Sequence, residues 1–253
     1  MVKNVVGMKL SICYIIFNEN NIFFRASLKS ALEIADEIII IDGGSTDGTL
    51  ELIDNYKDGR IKVIHKKYDE DKGANGKQRN EYLKYATGDW ILVLDADEII
   101  DDYGFLLKEI MKDSKFDVYN IKMVHFIENF SKIDATLAGS PQFDPSYTHF
   151  VMRRFFRNKQ GLYYPEVEHP LLLGDINAIG NIDKVTIYHL GYLKGQIDIL
   201  KKYKNHVAKS NIHTREFLEW WVNSHLTGIY PTKKIEINEI TSTIIKQIMK
   251  GLI

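Results

Sequence analysis

The chain has 253 residues, 45% of them hydrophobic, and a net charge of −1 from 33 basic and 34 acidic side chains. That length suits one large α/β domain with an extension, or two small domains, and the apolar share excludes global disorder. The charge balance excludes a whole-chain field drawing it to nucleic acid.

The single cysteine, Cys13, cannot make an intrachain disulfide, which points to the cytoplasm. Its place in the first apolar run reads as a small core residue. No apolar run approaches the ~20 residues of a membrane span, and the N-terminus lacks the long apolar stretch of a secretory signal. Neither absence bears on peripheral membrane contact.

In chain order, Leu10–Phe17 is β-rich and apolar, and Asn18-Glu19-Asn20 breaks it. Residues 22–35 read as a helix with Leu28, Ala31, Leu32 and Ala35 on one stripe. Glu37–Ile41 is a second strand ending at Asp42-Gly43-Gly44, and residues 46–57 suit a helix. Arg60–His65 is a third strand, residues 77–86 another helix, and Trp90–Leu94 a buried strand that runs into Asp95-Ala96-Asp97. This β-α-β order with short connections predicts a mainly parallel α/β sheet flanked by helices. After about residue 115 the pattern changes. Asp117–Phe126 and Thr148–Phe156 are strand-like, and a long loop holding Gly139, Pro141 and Pro145 separates them. Val185–His189 is a further strand, and from about Gly195 the chain reads as helical, with a break near Gly228-Ile229-Tyr230-Pro231.

Three stretches carry chemistry. Two carboxylates emerging at a strand's carboxyl end lie where open α/β sheets bind ligands. Asp95 and Asp97, hard oxygen ligands one residue apart, suit Mg²⁺ or Mn²⁺, which commonly neutralise substrate phosphates. The block Asp42-Gly43-Gly44-Ser45-Thr46-Asp47-Gly48-Thr49 lets backbone approach a ligand closely. It lacks the spacing of the dinucleotide-binding glycine fingerprint, but Asp42 at the strand end can accept a uracil imide N–H or a ribose hydroxyl. In Gly73–Asn80, small residues lead into a helix whose first turn carries Lys77 and Arg79. Cations there oppose the helix macrodipole, and a bound anion relieves that conflict.

Together with Asn18-Glu19 and Ala86-Thr87-Gly88-Asp89-Trp90, these motifs stand in the order and spacing of glycosyltransferase family 2, which has the GT-A fold. The chain resembles that family firmly over residues 9–100 and more loosely to about 192, in the manner of bacterial and archaeal surface-glycan and lipopolysaccharide-core sugar transferases. The resemblance implies a metal-dependent, inverting, hexosyltransferase-type enzyme that moves a sugar from a nucleotide-diphosphate donor, UDP-linked, to a glycan, glycolipid or other acceptor hydroxyl. Alternatives are a sugar-nucleotide nucleotidyltransferase and a non-catalytic nucleotide- or glycan-binding module. Asn18–Asn21, where the former carries a Gly-rich basic loop, argues against the first, and the intact Asp42, Asp95 and Asp97 argue against the second.

By the same resemblance, Asp42 would contact the nucleobase and Glu19 the base or ribose, while Lys77 and Arg79 would line the nucleotide pocket. Asp95 would touch the ribose or the metal's water shell, and Asp97 would ligate the Mn or Mg ion. The stretch Tyr163–Pro170 matches a family segment reading Val-His-Glu, except that Pro170 stands where the glutamate would be. Glu168 or Glu166 is then the candidate base, and His169 a third metal ligand. His189, in a histidine-aromatic cluster, is a second-choice metal or phosphate contact.

The expected division is a GT-A domain over 1–194, with a nucleotide-binding half (9–100) and an acceptor half (101–194), and a helical extension over 195–253. The extension carries Phe217, Trp220, Trp221 and a stripe from Ile237 to Leu252. The stripe reads as packing on its own domain or on a second copy, as in a homodimer, with peripheral contact at the membrane's inner face as the alternative.

Overall fold

The computed structural model describes residues 7–69, 74–134, 150–167, 170–193, 223–224, 227 and 232–252. Its first half is a parallel sheet of β1 (Leu10–Ile16), β2 (Glu37–Asp42), β3 (Ile61–His65) and β4 (Trp90–Val93), in spatial order β3-β2-β1-β4. Helices α1 (Ile22–Leu32), α2 (Thr49–Asp54) and α3 (Ala74–Tyr85) make the connections. Successive strand residues point to opposite faces, and here both faces are covered. Leu10, Ile12, Tyr14, Ile38, Ile40, Trp90 and Leu92 pack with α1 and α2. Cys13, Ile39, Ile41, Ile91 and Val93 pack with Tyr82 of α3. That is why the strands read as continuous apolar runs rather than alternating ones. Cys13 is buried as the sequence suggests.

The second half adds β5 (Glu98–Ile100), α4 (Leu106–Asp113), β6 (Val118–Ile127), β7 (Asn129–Asp134), β8 (Phe150–Arg157) and β9 (Ile179–His189). The fold is α/β with a mixed sheet: β8 pairs antiparallel with β4 and with β6, and β9 pairs parallel with β6 and antiparallel with β5. β5 and α4 have no counterpart in the sequence reading. Three residues are too few to show a strand period, and α4 is only eight residues long, about two turns.

The β6–β8 ladder is broken next to β4. Tyr119 pairs with Phe155 and Ile121 with Val151, so Met152, Arg153 and Arg154 all face Asn120. Arg153 takes a left-handed backbone, φ 54°, and its N–H donates to the Asn120 Oδ1 at 2.8 Å. Bulges of this kind re-aim side chains beside functional sites.

The end of the chain differs from the expected helical run. Thr232–Lys234 is a strand, β10, paired antiparallel with β7. A 3-10 turn at Ile237–Glu239 follows, then the short helix α5 (Thr243–Met249), capped by the Ser242 side chain. Ile240, Ile244 and Ile245 of the stripe are buried against Phe126, Tyr188 and Leu190, and Thr241 and Thr243 hydrogen-bond Asp101 and Asp102. Packing on its own domain therefore accounts for these three isoleucines. The tryptophan-bearing stretch 195–222, the loop with Gly139, Pro141 and Pro145, and the break at 228–231 lie outside the described residues. No described helix is long and apolar enough to cross a membrane.

Candidate active site

The loops that leave the carboxyl ends of the four parallel strands converge, as the topology requires. The first two are stitched together. Asn18 (φ 56°) receives the Thr46 N–H on its Oδ1 at 2.8 Å and donates its own N–H to the Ser45 hydroxyl at 2.9 Å. The Glu19 N–H donates to the Thr49 hydroxyl at 2.7 Å, and the Glu19 carboxylate accepts from the Asn21 side chain at 2.8 Å. Glu19 thus stands between the Asp42–Thr49 block and the start of α1, whose cap is Asn21.

Asp42 is fully buried. Its carboxylate accepts the backbone N–H groups of Gly44 and Ser45 at 3.0 and 3.1 Å, with His65 Nδ1 at 3.2 Å. Burial works to raise its pKa, but the hydrogen bonds from Ser45, His65 and Gly44 win and hold it below the usual carboxylate range. Asp42 therefore braces the glycine loop. Gly43 is needed there because a Cβ would lie 2.8 Å from the Tyr68 Cβ and 3.3 Å from the Ile16 carbonyl. Beside the loop, Phe17 is exposed and stacks on Tyr68, centroids 5.9 Å apart and planes 17° off parallel. An exposed aromatic face next to a loop of this kind suits a flat base.

Helix α3 begins at Ala74, one turn earlier than the sequence predicts, so Lys77 closes its first turn and Arg79 lies in the second. Arg79 points inward. Its Nη2 donates to the Asp95 Oδ1 at 2.7 Å, and Arg154 Nη2, from the bulged strand, donates to the Asp95 Oδ2 at 2.9 Å. The same Arg154 nitrogen reaches the Glu98 Oε1 at 2.9 Å, while the Asp95 N–H donates to the Glu98 Oε2 at 2.8 Å. Burial tends to raise the Asp95 pKa, and the charges of Arg154 and Arg79 overcome it, so Asp95 is held ionised well below the usual range. Burial raises the Glu98 carboxyl, against the pull of Arg154 and with help from Asp95. Both oxygens of Asp95 are thus committed to arginines.

Asp97 faces a different environment. His189, at the end of β9, brings its Nε2 to 3.7 Å from the Asp97 Oδ1. His189 Nδ1 lies 3.0 Å from His125 Nδ1 on β6, and Tyr192 packs edge-on to the His189 ring. The pair sits against the backbone of residue 191, which must be glycine: a Cβ there would lie 2.6 Å from the Asp97 Oδ2 and 2.7 Å from the His189 Nε2. An oxygen and an imidazole nitrogen at this separation are of the types that ligate a divalent cation, at about 2.1 Å from each. They are a candidate pair only, and the described residues hold no group of three or more metal-binding side chains.

The structure thus separates the residues that the sequence proposes together. Asp97 and His189 meet, and Asp95 turns to Arg79. Glu166 is exposed and lines a groove with Lys66, Lys67, Lys77 and Gln78 beside α3's first turns. Glu168 and His169 lie outside the described residues. Arg154, Glu98 and His125 are absent from the sequence reading. Adjacent arginines inside an otherwise apolar strand (Phe150–Arg157) were the available signal for the first. Glu98 looks like the polar start of a strand, and a lone histidine in β6 carries no signal.

Residues 11–164 match the glycosyl transferase family 2 profile. Over 196 residues the chain is 26% identical to the SPbeta prophage-derived glycosyltransferase SunS of Bacillus subtilis, which covers 76% of this chain and 42% of that protein. Over 238 residues it is 38% identical to a TPR repeat-containing protein of Synechococcus elongatus, covering 90% of this chain and 51% of the relative. The chain therefore spans about half the length of these curated relatives, or less. The crystal structure of Staphylococcus aureus TarS in complex with UDP-GlcNAc superposes with a TM-score of 0.52 at 18% identity, over 87% of this chain and 72% of that one. At that identity the likeness establishes the GT-A architecture alone. The family match covers more than half of the chain and includes the Asp42 loop, Arg79, the Asp95–Asp97 turn and Arg154, so the chain belongs to glycosyl transferase family 2.

Proposed function

We propose that this chain transfers a sugar from a UDP-linked nucleotide sugar to an acceptor hydroxyl by a single inverting displacement that requires Mn²⁺ or Mg²⁺. The observation that carries the reading is the Asp97–His189 pair, seated against Gly191 at the carboxyl end of the parallel strands. Asp97 and His189 would hold the ion, and His169 is the proposed third ligand. Bound there, the cation would offset the negative charge that builds as the nucleoside diphosphate departs.

The remaining roles belong to the chain's own groups. Asp42 and the loop it braces form the nucleobase end of the pocket, with Glu19 near the ribose. Arg79 and Lys77 line the nucleotide side and favour a dianionic ligand near the start of α3. Asp95, with 34% of its side chain exposed, offers its edge to a ribose hydroxyl or the ion's water shell. The base that takes the acceptor proton is a glutamate. Glu168 is the first choice, because Glu166 lines the basic groove beside Lys77 rather than the Asp97–His189 pair.

The UDP donor is supported by the solved complexes of TarS with UDP and UDP-GlcNAc. A glycan or lipid-linked acceptor accords with the poly(ribitol-phosphate) named for TarS. We place the enzyme in the cytoplasm, with peripheral contact at the membrane's inner face as the alternative. The test is a screen of UDP-, GDP- and dTDP-sugars with and without Mn²⁺, scoring nucleotide release. Release from a UDP-sugar that depends on Mn²⁺ supports the reading. Binding without release would make the chain a recognition module, and pyrophosphate release from a nucleoside triphosphate would make it a nucleotidyltransferase.

A further inference from the structure

Arg154 does more than neutralise charge. The turn that carries Asp97 is closed reciprocally: the Glu98 N–H donates to the Asp95 carbonyl at 3.0 Å, and the Asp95 N–H donates to the Glu98 carboxylate at 2.8 Å. A single Arg154 nitrogen then bridges the two side chains at that closure, 2.9 Å from Asp95 Oδ2 and 2.9 Å from Glu98 Oε1. Only 13% of the Arg154 side chain is exposed, and Glu98 is almost fully buried. Without the bridge, the two carboxyl groups lose the buried donor that they share and nothing ties the two side chains across the turn. Asp97 lies inside that turn.

The chain also departs from regular geometry to deliver this side chain. Arg154 reaches the turn from the bulge in β8, next to a non-glycine residue at φ 54°. Strain of that kind persists only where the surroundings enforce it. Here they do so from two sides: the Asn120 side chain accepts the Arg153 N–H at 2.8 Å, and Arg153 Nη1 donates to the Leu172 carbonyl at 2.6 Å. The bulge thus ties the turn to the 163–173 segment, the part of the chain that holds the candidate base.

We propose that Arg154 is a positioning residue for nucleoside diphosphate binding: by bridging Asp95 and Glu98 it fixes the turn so that Asp97 faces His189. It acts through Asp97 and touches neither donor nor ion. The proposal rests on the transferase reading above. Its consequence is that loss of the bridge weakens the metal-dependent part of nucleotide binding and leaves the base pocket alone.

Two variants test it. Arg154→Lys keeps the charge, but its ammonium sits about one bond nearer the backbone than the bridging guanidinium nitrogen and falls short of the two carboxyl groups. The double variant Arg154→Met with Glu98→Gln removes the bridge while leaving no unpaired buried charge at position 98, and it decides the matter if the lysine variant does not fold. Each is titrated with UDP over a range of Mn²⁺ concentrations, and separately with uridine in the absence of metal, by calorimetry, with a thermal melt alongside. The expected result is wild-type uridine binding and an Mn²⁺ requirement for UDP raised about 10- to 100-fold, the range seen when groups that orient metal ligands are lost. A variant with the wild-type Mn²⁺ requirement, or one that loses uridine and UDP affinity equally, overturns the proposal. Wild-type protein that shows no Mn²⁺-dependent UDP binding overturns the transferase reading, and this proposal with it.

Discussion

At the amino end of the parallel strands, Glu37 accepts hydrogen bonds from Ser11, Lys62 and both the N–H and hydroxyl of Thr87. Nearby, Asp36 takes the Leu10 N–H and Lys108, and Asp89 takes the Lys9 N–H. At the carboxyl end, Asp97 lies beside a histidine and against a glycine backbone, and Asp95 is held by two arginines from different parts of the fold. The residue types are the same; the partners differ. Acids at one end join neighbouring strands to each other. Acids at the other are held by loop N–H groups and by side chains that gather at the strand ends. Burial alone does not separate the two kinds, since Glu37 and Asp42 are both buried. What separates them is the partner: residues of neighbouring strands at one end, and loops, arginines and a histidine at the other.

Substitutions at the two ends should therefore break different things. Asp97→Asn, the largest effect, should lower sugar transfer by at least about 100-fold with little change in the melting temperature; wild-type turnover by this variant would remove Asp97 from the metal role. Glu168→Gln should lower turnover by about 100-fold and leave donor affinity intact, and a comparable loss in Glu166→Gln instead would move the base. Gly191→Ala should raise the Mn²⁺ requirement about tenfold, because its methyl collides with Asp97 and His189 and displaces them; an unchanged requirement would show that the ion lies elsewhere.

Glu37→Gln tests the other end. It should cost about 1–3 kcal/mol of stability without altering the donor Michaelis constant. The pH dependence has a definite sign. Burial works to raise the Glu37 pKa, but hydrogen bonds from Lys62, Ser11 and Thr87 lower it from 4.5 to about 2. The stabilisation is therefore fully present above about pH 4.5 and is lost as pH falls toward 2. The variant should melt with a flatter dependence over that window, and an unchanged slope would show that Glu37 is not the group responsible.

The first hundred residues were legible because each strand and helix announces itself locally. Ile38–Ile41 and Trp90–Leu94 are apolar on both faces, and each ends in an acid at the place where ligands bind. The motifs Asp42–Thr49 and Asp95–Asp97 could be read as site elements for the same reason. What the sequence hid are contacts made over long separations. Arg154 meets Asp95 across 59 residues, through a bulge that no periodicity signals, and His125 meets His189 across 64. The strand β10 and the short helix α5 were hidden by a stripe of isoleucines whose spacing fits a longer helix as well. Their actual packing depends on Asp101 and Asp102, far away in the chain.

The central claim is that the Asp97 end of the sheet is a metal-dependent nucleotide-sugar site, and UDP release from a UDP-sugar as Mn²⁺ is titrated tests it most directly. The account predicts release that rises to saturation with Mn²⁺ in the wild-type chain and stays at background in Asp97→Asn. Release that is independent of added metal, or equal in the two proteins, would contradict it.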